Sequence, residues 1–271
     1  VGLQDNLVRV SNRGEEALVR AKVIIGADGP KSRVAQWKGL SGPRKLLFGV
    51  QAVAAYKPGR EDAVEVFLGN EIAPHFFAWA VPASPGQARV GLGTDEERNA
   101  RHYLERLLQR LNINETHDLA AGLIPIGPPP RTITDGVLLV GDAAGQAKPT
   151  SGGGLYTGIV CAKLAGEVAA RCVRSHDASA LAEYERRWRR LLGRELAFGM
   201  RAHQILTKLS DAALNRIIAL LDNPEILSLI NTYGDIDYPS ILARRFFQSP
   251  GLWRRVISSV PQATLLRPRS P

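Results

Sequence analysis

Cysteine is nearly absent: Cys161 and Cys172 are the only two in 271 residues. That excludes a disulfide scaffold and fits a reducing compartment, so the expected localisation is cytoplasmic. The cysteines are too far apart in sequence for a metal pattern. The five histidines (His75, His102, His117, His176, His203) are scattered without ligand spacing, so no metal site is expected. No apolar run approaches about 18 residues, which removes a spanning helix, and no signal-peptide pattern is present. Ser151 has no nucleophile-elbow pattern around it and no His-Asp partner near it in sequence, so acyl chemistry gains little support. No internal repeat is visible.

What is present is ordinary in bulk and uneven in detail. The chain is 45% hydrophobic and 23% charged, the balance of a globular protein with a substantial core. Net charge is +9, and from Leu181 onward there are 14 Lys+Arg against 8 Asp+Glu. The last third therefore carries about two thirds of the excess. Such a segment suits an anionic surface, or it is a solvated helix face. Arg186, Arg187, Arg189 and Arg190 surround Trp188, and Arg254 and Arg255 follow Trp253. Either cluster could lie on a membrane; a helix with Tyr184, Trp188, Leu191 and Leu192 inward is equally just amphipathic.

Along the chain, Leu7 to Val10 and Glu16 to Arg20 read as a hairpin. "KLLFGVQAVAAY", "AVEVFLG", "HFFAWAV" and "ARVGLG" read as an antiparallel sheet over roughly 46–93. A helix over 94–112 is predicted, with Thr94 as N-cap and Glu97 closing a capping box. Its apolar stripe is Tyr103, Leu104, Leu107, Leu108 and Leu111. "GLIPIGPPPR" is extended, Val137 to Val140 is a buried strand, and Leu155 to Val173 is a helix. From Leu181 the pattern is helical, with breaks near Asn223-Pro224, Tyr238-Pro239 and Ser249-Pro250.

Two stretches carry chemistry. In "VLLVGDAAGQAKPTSGGGLYTGI" a buried strand ends at Gly141-Asp142, and Gly152, Gly153 and Gly154 precede a helix. Glycines let a flat ligand approach the backbone, and a helix N-terminus favours negative charge. A carboxylate at a strand's carboxyl end lies where open α/β sheets bind ligands, and it can accept hydrogen bonds from sugar-alcohol hydroxyls. A tight turn capped by Asp142 fits the same spacing. The second stretch, "VIIGADGPKSRV", ends a short strand at Asp28-Gly29; there the plain alternative is a turn residue before glycine.

The first stretch resembles the second flavin-binding motif of the FAD-dependent oxidoreductases related to aromatic hydroxylases. The second resembles the DG motif of the same superfamily. Hydroxylases usually carry His after G-D-A-A and Gln between two loop glycines. Gly145 and Gly153 stand here instead, which resembles the geranylgeranyl reductase branch. "APHFFAWAVPASPGQARVGLG" is similar to that branch's Y-x-W-x-F-P segment, with Trp79 and Pro82 matching and Phe77 and Val81 departing.

The resemblance implies an α/β fold. A partial three-layer FAD-binding domain would cover 1–45 and 112–180, an antiparallel substrate sheet plus helix 46–111, and a helical region 181–271. It implies FAD held by Asp28, Gly29, Gly141, Asp142, Pro149, Gly152, Gly153 and Gly154. Asp142 would meet the ribityl chain, Gly152 to Gly154 the pyrimidine edge, and Asp28 and Gly29 the pyrophosphate–ribose region. NAD(P)H or another reductant would supply electrons. Phe77, Trp79 and Val81, beside Phe76, would wall a pocket for a polyprenyl chain, where the residue pattern alone reads as ordinary sheet core. The implied activity is saturation of isoprenoid double bonds of a lipid or pigment precursor, with peripheral membrane association and no nucleic-acid partner. No catalytic acid is identified.

A flavin monooxygenase or halogenase-like enzyme is the rival reading, and a lipid-binding chain without flavin is the non-enzymatic one. Flavoproteins of this type also carry a G-x-G-x-x-G turn, absent from these residues. The expectation is a C-terminal portion of such a protein that by itself binds FAD weakly or not at all.

Overall fold

The structure is a computed structural model that describes residues 2–4, 7–249 and 251–252. Trp253, Arg254 and Arg255, and Pro250 of the last predicted break, lie outside the described residues. In chain order the elements are β1 (Gly2–Gln4), β2 (Leu7–Asn12), β3 (Glu15–Arg20), β4 (Ile24–Gly26), α1 (Arg33–Trp37), β5 (Lys45–Ala55), β6 (Glu65–Phe67), β7 (Ala78–Ser84), β8 (Gln87–Thr94), α2 (Ala100–Arg110), β9 (Thr116–Ile126), β10 (Ile133–Thr134), β11 (Val137–Leu139), α3 (Leu155–Ser175), α4 (Ala182–Leu206), α5 (Asp211–Ala219), α6 (Pro224–Tyr233) and α7 (Pro239–Phe247). The architecture is mixed α/β with antiparallel sheets and a helical C-terminal region.

The chain divides into two compact units, residues 1–46 with 125–200, and residues 47–124 with 201–271. In the first, β1, β2 and β3 form an antiparallel meander, and a second small sheet has the order β10-β11-β4. The β11–β4 pair is parallel. Helix α3 turns Cys161, Ala165, Val168 and Cys172 inward, where Tyr184, Trp188, Leu192 and Leu196 of α4 meet them over Leu138 and Val140. These positions recur every three or four residues, the period of one helix face. Burial pushes the Cys161 thiol up to about 12, as expected for a structural cysteine held neutral.

The second unit centres on a five-stranded sheet, β6-β7-β8-β5-β9. Its core face carries Val50, Ala78, Ala80, Val90 and Leu92, packed with Leu104 and Leu107 of α2. One expectation is corrected here. Thr94 does not cap a helix: it ends β8, paired with Phe48 of β5. Its hydroxyl donates to the Pro74 carbonyl at 3.0 Å and accepts from the Glu96 amide at 3.1 Å. The helix begins six residues later at Ala100, because strand pairing claims Thr94 first. The extended segment that enters "IGPPPR" is the end of eleven-residue β9, which joins the sheet as its fifth strand.

Helix α4 is followed by a break at Leu209-Ser210 that the sequence pattern does not flag; the Ser210 hydroxyl caps α5 by accepting from the Ala213 amide. Asp211 then ties α5 to the turn at Gly69-Asn70, its Oδ1 accepting from the Asn70 backbone and side-chain amides at 2.9 and 2.7 Å. No described helix is long and apolar enough to cross a membrane.

Candidate functional site

The two sequence motifs meet in the first unit. Strand β4 runs parallel to β11 with Ile24 opposite Val137 and Gly26 opposite Leu139, and the Val140 amide donates to the Gly26 carbonyl at 2.9 Å. Both strands thus end at one sheet edge, and each is followed by its Asp. Ligands of open α/β sheets bind beyond such ends. Gly26 is what lets the strands close: a Cβ there would lie 2.7 Å from Leu139 Cδ2.

After β11 the chain makes a short 3-10 turn over Gly141–Ala144. Gly141, Gly145 and Gly152 have φ of 64°, 60° and 70°, the left-handed region that glycine occupies without strain. At Gly145 space matters as well: a Cβ would come within 2.8 Å of the Gly127 carbonyl oxygen. The loop beyond is held by its own backbone, with Lys148 N donating to Gly153 O at 3.0 Å and Gly152 N to Lys148 O at 2.8 Å. Gly154 occupies the N-cap of α3, so no side chain caps that helix.

Asp142 is half-buried beside this loop. A Cβ on Gly154 would approach its Oδ1 to 3.1 Å. Burial raises the Asp142 carboxyl above its ordinary value, and no hydrogen bond from a described residue reaches it. A carboxylate with that environment is costly unless something donates to it.

Asp28 differs. Its Oδ1 accepts from the Ser32 hydroxyl at 2.6 Å and its Oδ2 from the Val34 amide at 3.1 Å. Burial pushes this carboxyl up, but the bonds from Ser32 and the backbone outweigh it and hold it below its ordinary value. Gly29, at φ 86°, faces open space. Pro149 is buried against α4, where a Cβ on Gly199 would lie 3.0 Å from its Cδ.

One set of residues is invisible to motif reading. Gln146 is fully buried. Its Oε1 accepts from the Gly141 amide at 2.8 Å, and its Nε2 donates to the Tyr184 hydroxyl at 3.1 Å. Tyr184 in turn donates to the Leu139 carbonyl at 2.7 Å. One turn on, Trp188 Nε1 donates to Thr132 Oγ1 at 3.0 Å. Helix α4 therefore clamps the strand and turn that present Asp142. Trp188 is fully buried, so it cannot touch a membrane, and Arg189 is spent on Glu185 and the carbonyls of Pro129 and Pro130. Leu191, expected inward, is 46% exposed.

In the second unit, Ala78 and Ala80 of β7 point into the core, whereas Phe77, Trp79 and Val81 are half-buried outside that cluster. Alternation puts those three on the opposite face. Phe76 stacks on Phe77 with centroids 4.4 Å apart, and Phe77 meets Trp79 edge-on at 5.9 Å. A Cβ on Gly93 would lie 2.5 Å from Phe76 Cδ1, so that glycine seats the aromatic run.

No family model matches the chain. By sequence it is 36% identical over 239 residues to digeranylgeranylglycerophospholipid reductase 2 of Methanothermobacter thermautotrophicus, covering 83% of this chain and 61% of that protein. The chain is a homologue of these reductases. It spans about three fifths of the length of the curated relatives it matches. Among solved structures, a geranylgeranyl bacteriochlorophyll reductase-like protein from Thermoplasma acidophilum superposes with a TM-score of 0.79 at 22% identity, over 96% of this chain and 68% of that one. The p-nitrophenol 4-monooxygenase PnpA of Pseudomonas putida superposes at 0.61, with 20% identity over 92% of this chain and 64% of that one. The chain thus shares its fold with these two proteins.

Proposed function

We propose that the chain is part of an FAD-dependent reductase that saturates geranylgeranyl-type double bonds of a lipid or pigment precursor. The observation that carries the reading is Asp142: a half-buried carboxylate at a strand end, beside a glycine loop, without a donor among the described residues. The relatives named for digeranylgeranylglycerophospholipid reduction give the substrate class.

The residues fit FAD. Asp142 is placed to accept from a hydroxyl-bearing chain. Gly152, Gly153 and Gly154 leave backbone open to a planar edge, and an uncapped helix N-terminus favours charge there. Asp142, Gly141, Pro149 and Gly152 to Gly154 would hold the cofactor. Gly29 and Asp28 would contribute at the neighbouring strand end, with Asp28 already accepting two protein donors. When bound, FAD supplies hydride chemistry, recharged by NAD(P)H or another reductant. Phe77, Trp79 and Val81 would contact the polyprenyl chain through apolar burial. A cytoplasmic location with peripheral membrane contact completes the proposal, the exposed Arg186, Arg190 and Arg194 of α4 being the cations it would use.

The test is a flavin titration of the protein carrying this chain, with and without Asp142→Ala. Losing a hydrogen bond to a charged group costs about 1.5–3 kcal/mol, a drop of roughly 10- to 150-fold in affinity. Normal FAD binding by the variant would leave Asp142 as a turn residue and remove the reading. The monooxygenase reading is supported by the fold likeness. Against it, a His side chain at position 145, as hydroxylases carry, would press on the Gly127 carbonyl.

A further inference from the structure

Residues paired directly across neighbouring strands point to the same side of a sheet. Trp79 of β7 lies opposite Val66 of β6 and Gly91 of β8, and Gly91 lies opposite Gln51 of β5. Val81 lies opposite Arg89 of β8, which lies opposite Val53 of β5. The face turned away from the core therefore runs over four strands. It widens the aromatic strip outward: Val66 on the edge strand is 56% exposed, and Val64 and Leu68, two residues to either side, are exposed too. Among the residues that these four strands pair onto this face, Arg89 alone is charged. Arg89 is exposed, and no hydrogen bond or ion pair ties it to a described residue. Its direct cross-strand partners, Val53 and Val81, offer no carboxylate. A guanidinium set among apolar side chains attracts an anion, and its planar fork matches a phosphate with two parallel N–H donors.

We propose that Arg89 recognises the phosphate carried by a prenyl lipid whose chain runs from Val81 over Trp79 to Phe77. This rests on the polyprenyl reading of that strip and adds the head of the ligand to it. Val81 to Phe77 spans about 13 Å of strand, so an apolar tail lies along the strip while its head stays at Arg89. An alcohol head brings no charge for the guanidinium to meet, and a free phosphate brings no tail for the strip. Arg89 thus selects an anion joined to an apolar chain. A phospholipid, the substrate class proposed above, carries both.

The experiment is a binding titration of the full chain, followed by tryptophan fluorescence, with three probes: geranylgeranyl monophosphate, geranylgeraniol and inorganic phosphate. The monophosphate should bind roughly 10- to 100-fold more tightly than the alcohol, the value of a charge-assisted hydrogen bond, and that advantage should shrink as salt rises. Inorganic phosphate should not displace it at equal concentration. Arg89→Gln should abolish the monophosphate's advantage and keep the alcohol's affinity. Arg89→Lys, which keeps the charge and loses the fork, should fall between the two. A purely structural role for Arg89 would weaken both prenyl probes alike in Arg89→Gln and leave their ratio unchanged, which overturns the proposal. If the wild-type chain binds alcohol and monophosphate equally, Arg89 has no such role while the polyprenyl reading stands. If inorganic phosphate binds as tightly as the monophosphate, Arg89 is a general anion site and the head-and-tail reading is wrong. If neither prenyl probe binds, the polyprenyl reading of the strip falls and this proposal with it.

Discussion

At the residue scale, Asp142 sets function against stability. Its carboxyl is pushed up by burial alone, so the folded, ligand-free protein favours the protonated form more than the unfolded chain does. The sign follows from linkage. A raised carboxyl costs the fold nothing where it is protonated in both states, and the cost appears as pH rises through the raised value. Asp142→Asn should therefore raise the Tm of the ligand-free protein at neutral pH. The gain should fade as pH falls below the carboxylate range, while flavin affinity drops. Thermal melts at both ends of that range check this. An unchanged Tm at neutral pH would mean that burial of this carboxylate carries no cost. Asp28 is a useful contrast: the bonds from Ser32 and Val34 lower its carboxyl, so its removal should destabilise above that range.

At the element scale, the clamp by α4 and the glycines of β8 each make a claim about packing. Tyr184→Phe removes one hydroxyl that donates to Leu139 O and accepts from Gln146 Nε2. Both partners are left buried, at about 1–3 kcal/mol. The expected result is a Tm lower by several degrees and looser flavin binding, because the clamped turn presents Asp142. A variant that melts normally would show that water repairs the network. In the sheet, a Cβ on Gly91 would lie 2.5 Å from Gln51 Cβ and 2.6 Å from the Val50 carbonyl oxygen. Backbone cannot step aside as a side chain tip does, so Gly91→Ala should cost about 1–3 kcal/mol or more through overpacking. Gly122 of β9 meets nothing within 4 Å, and Gly122→Ala should be near neutral. Equal melts for the two variants would refute the steric account of β8.

At the scale of the whole molecule, legibility tracks sequence separation. The strand-loop-helix at 137–175 was readable because its parts are adjacent and its glycines are forced by local backbone angles. The pattern around β7 misleads: it reads Phe77, Trp79 and Val81 as sheet core, whereas Ala78 and Ala80 take the core face. What pairs at long range was hidden: Gln146 with Tyr184 across 38 residues, β9 joining the sheet, and Thr94 drawn into β8 and away from helix capping. None of these leaves a periodic trace, since each depends on which surface another element brings. The two candidate sites also fall in different compact units: the glycine loop in 125–200, the aromatic strand in 47–124. That division yields a test without any mutation. Amide hydrogen exchange slows where a ligand suppresses local opening. In the protein carrying this chain, added flavin should protect residues 141–158, covering the 3-10 turn, the glycine loop and the first turn of α3. Added geranylgeraniol should protect residues 75–82 along β7. Should flavin leave 141–158 exchanging as before, the loop is not its site, whatever the activity of the protein; should the alcohol leave β7 unprotected, Phe77, Trp79 and Val81 do not bind the chain.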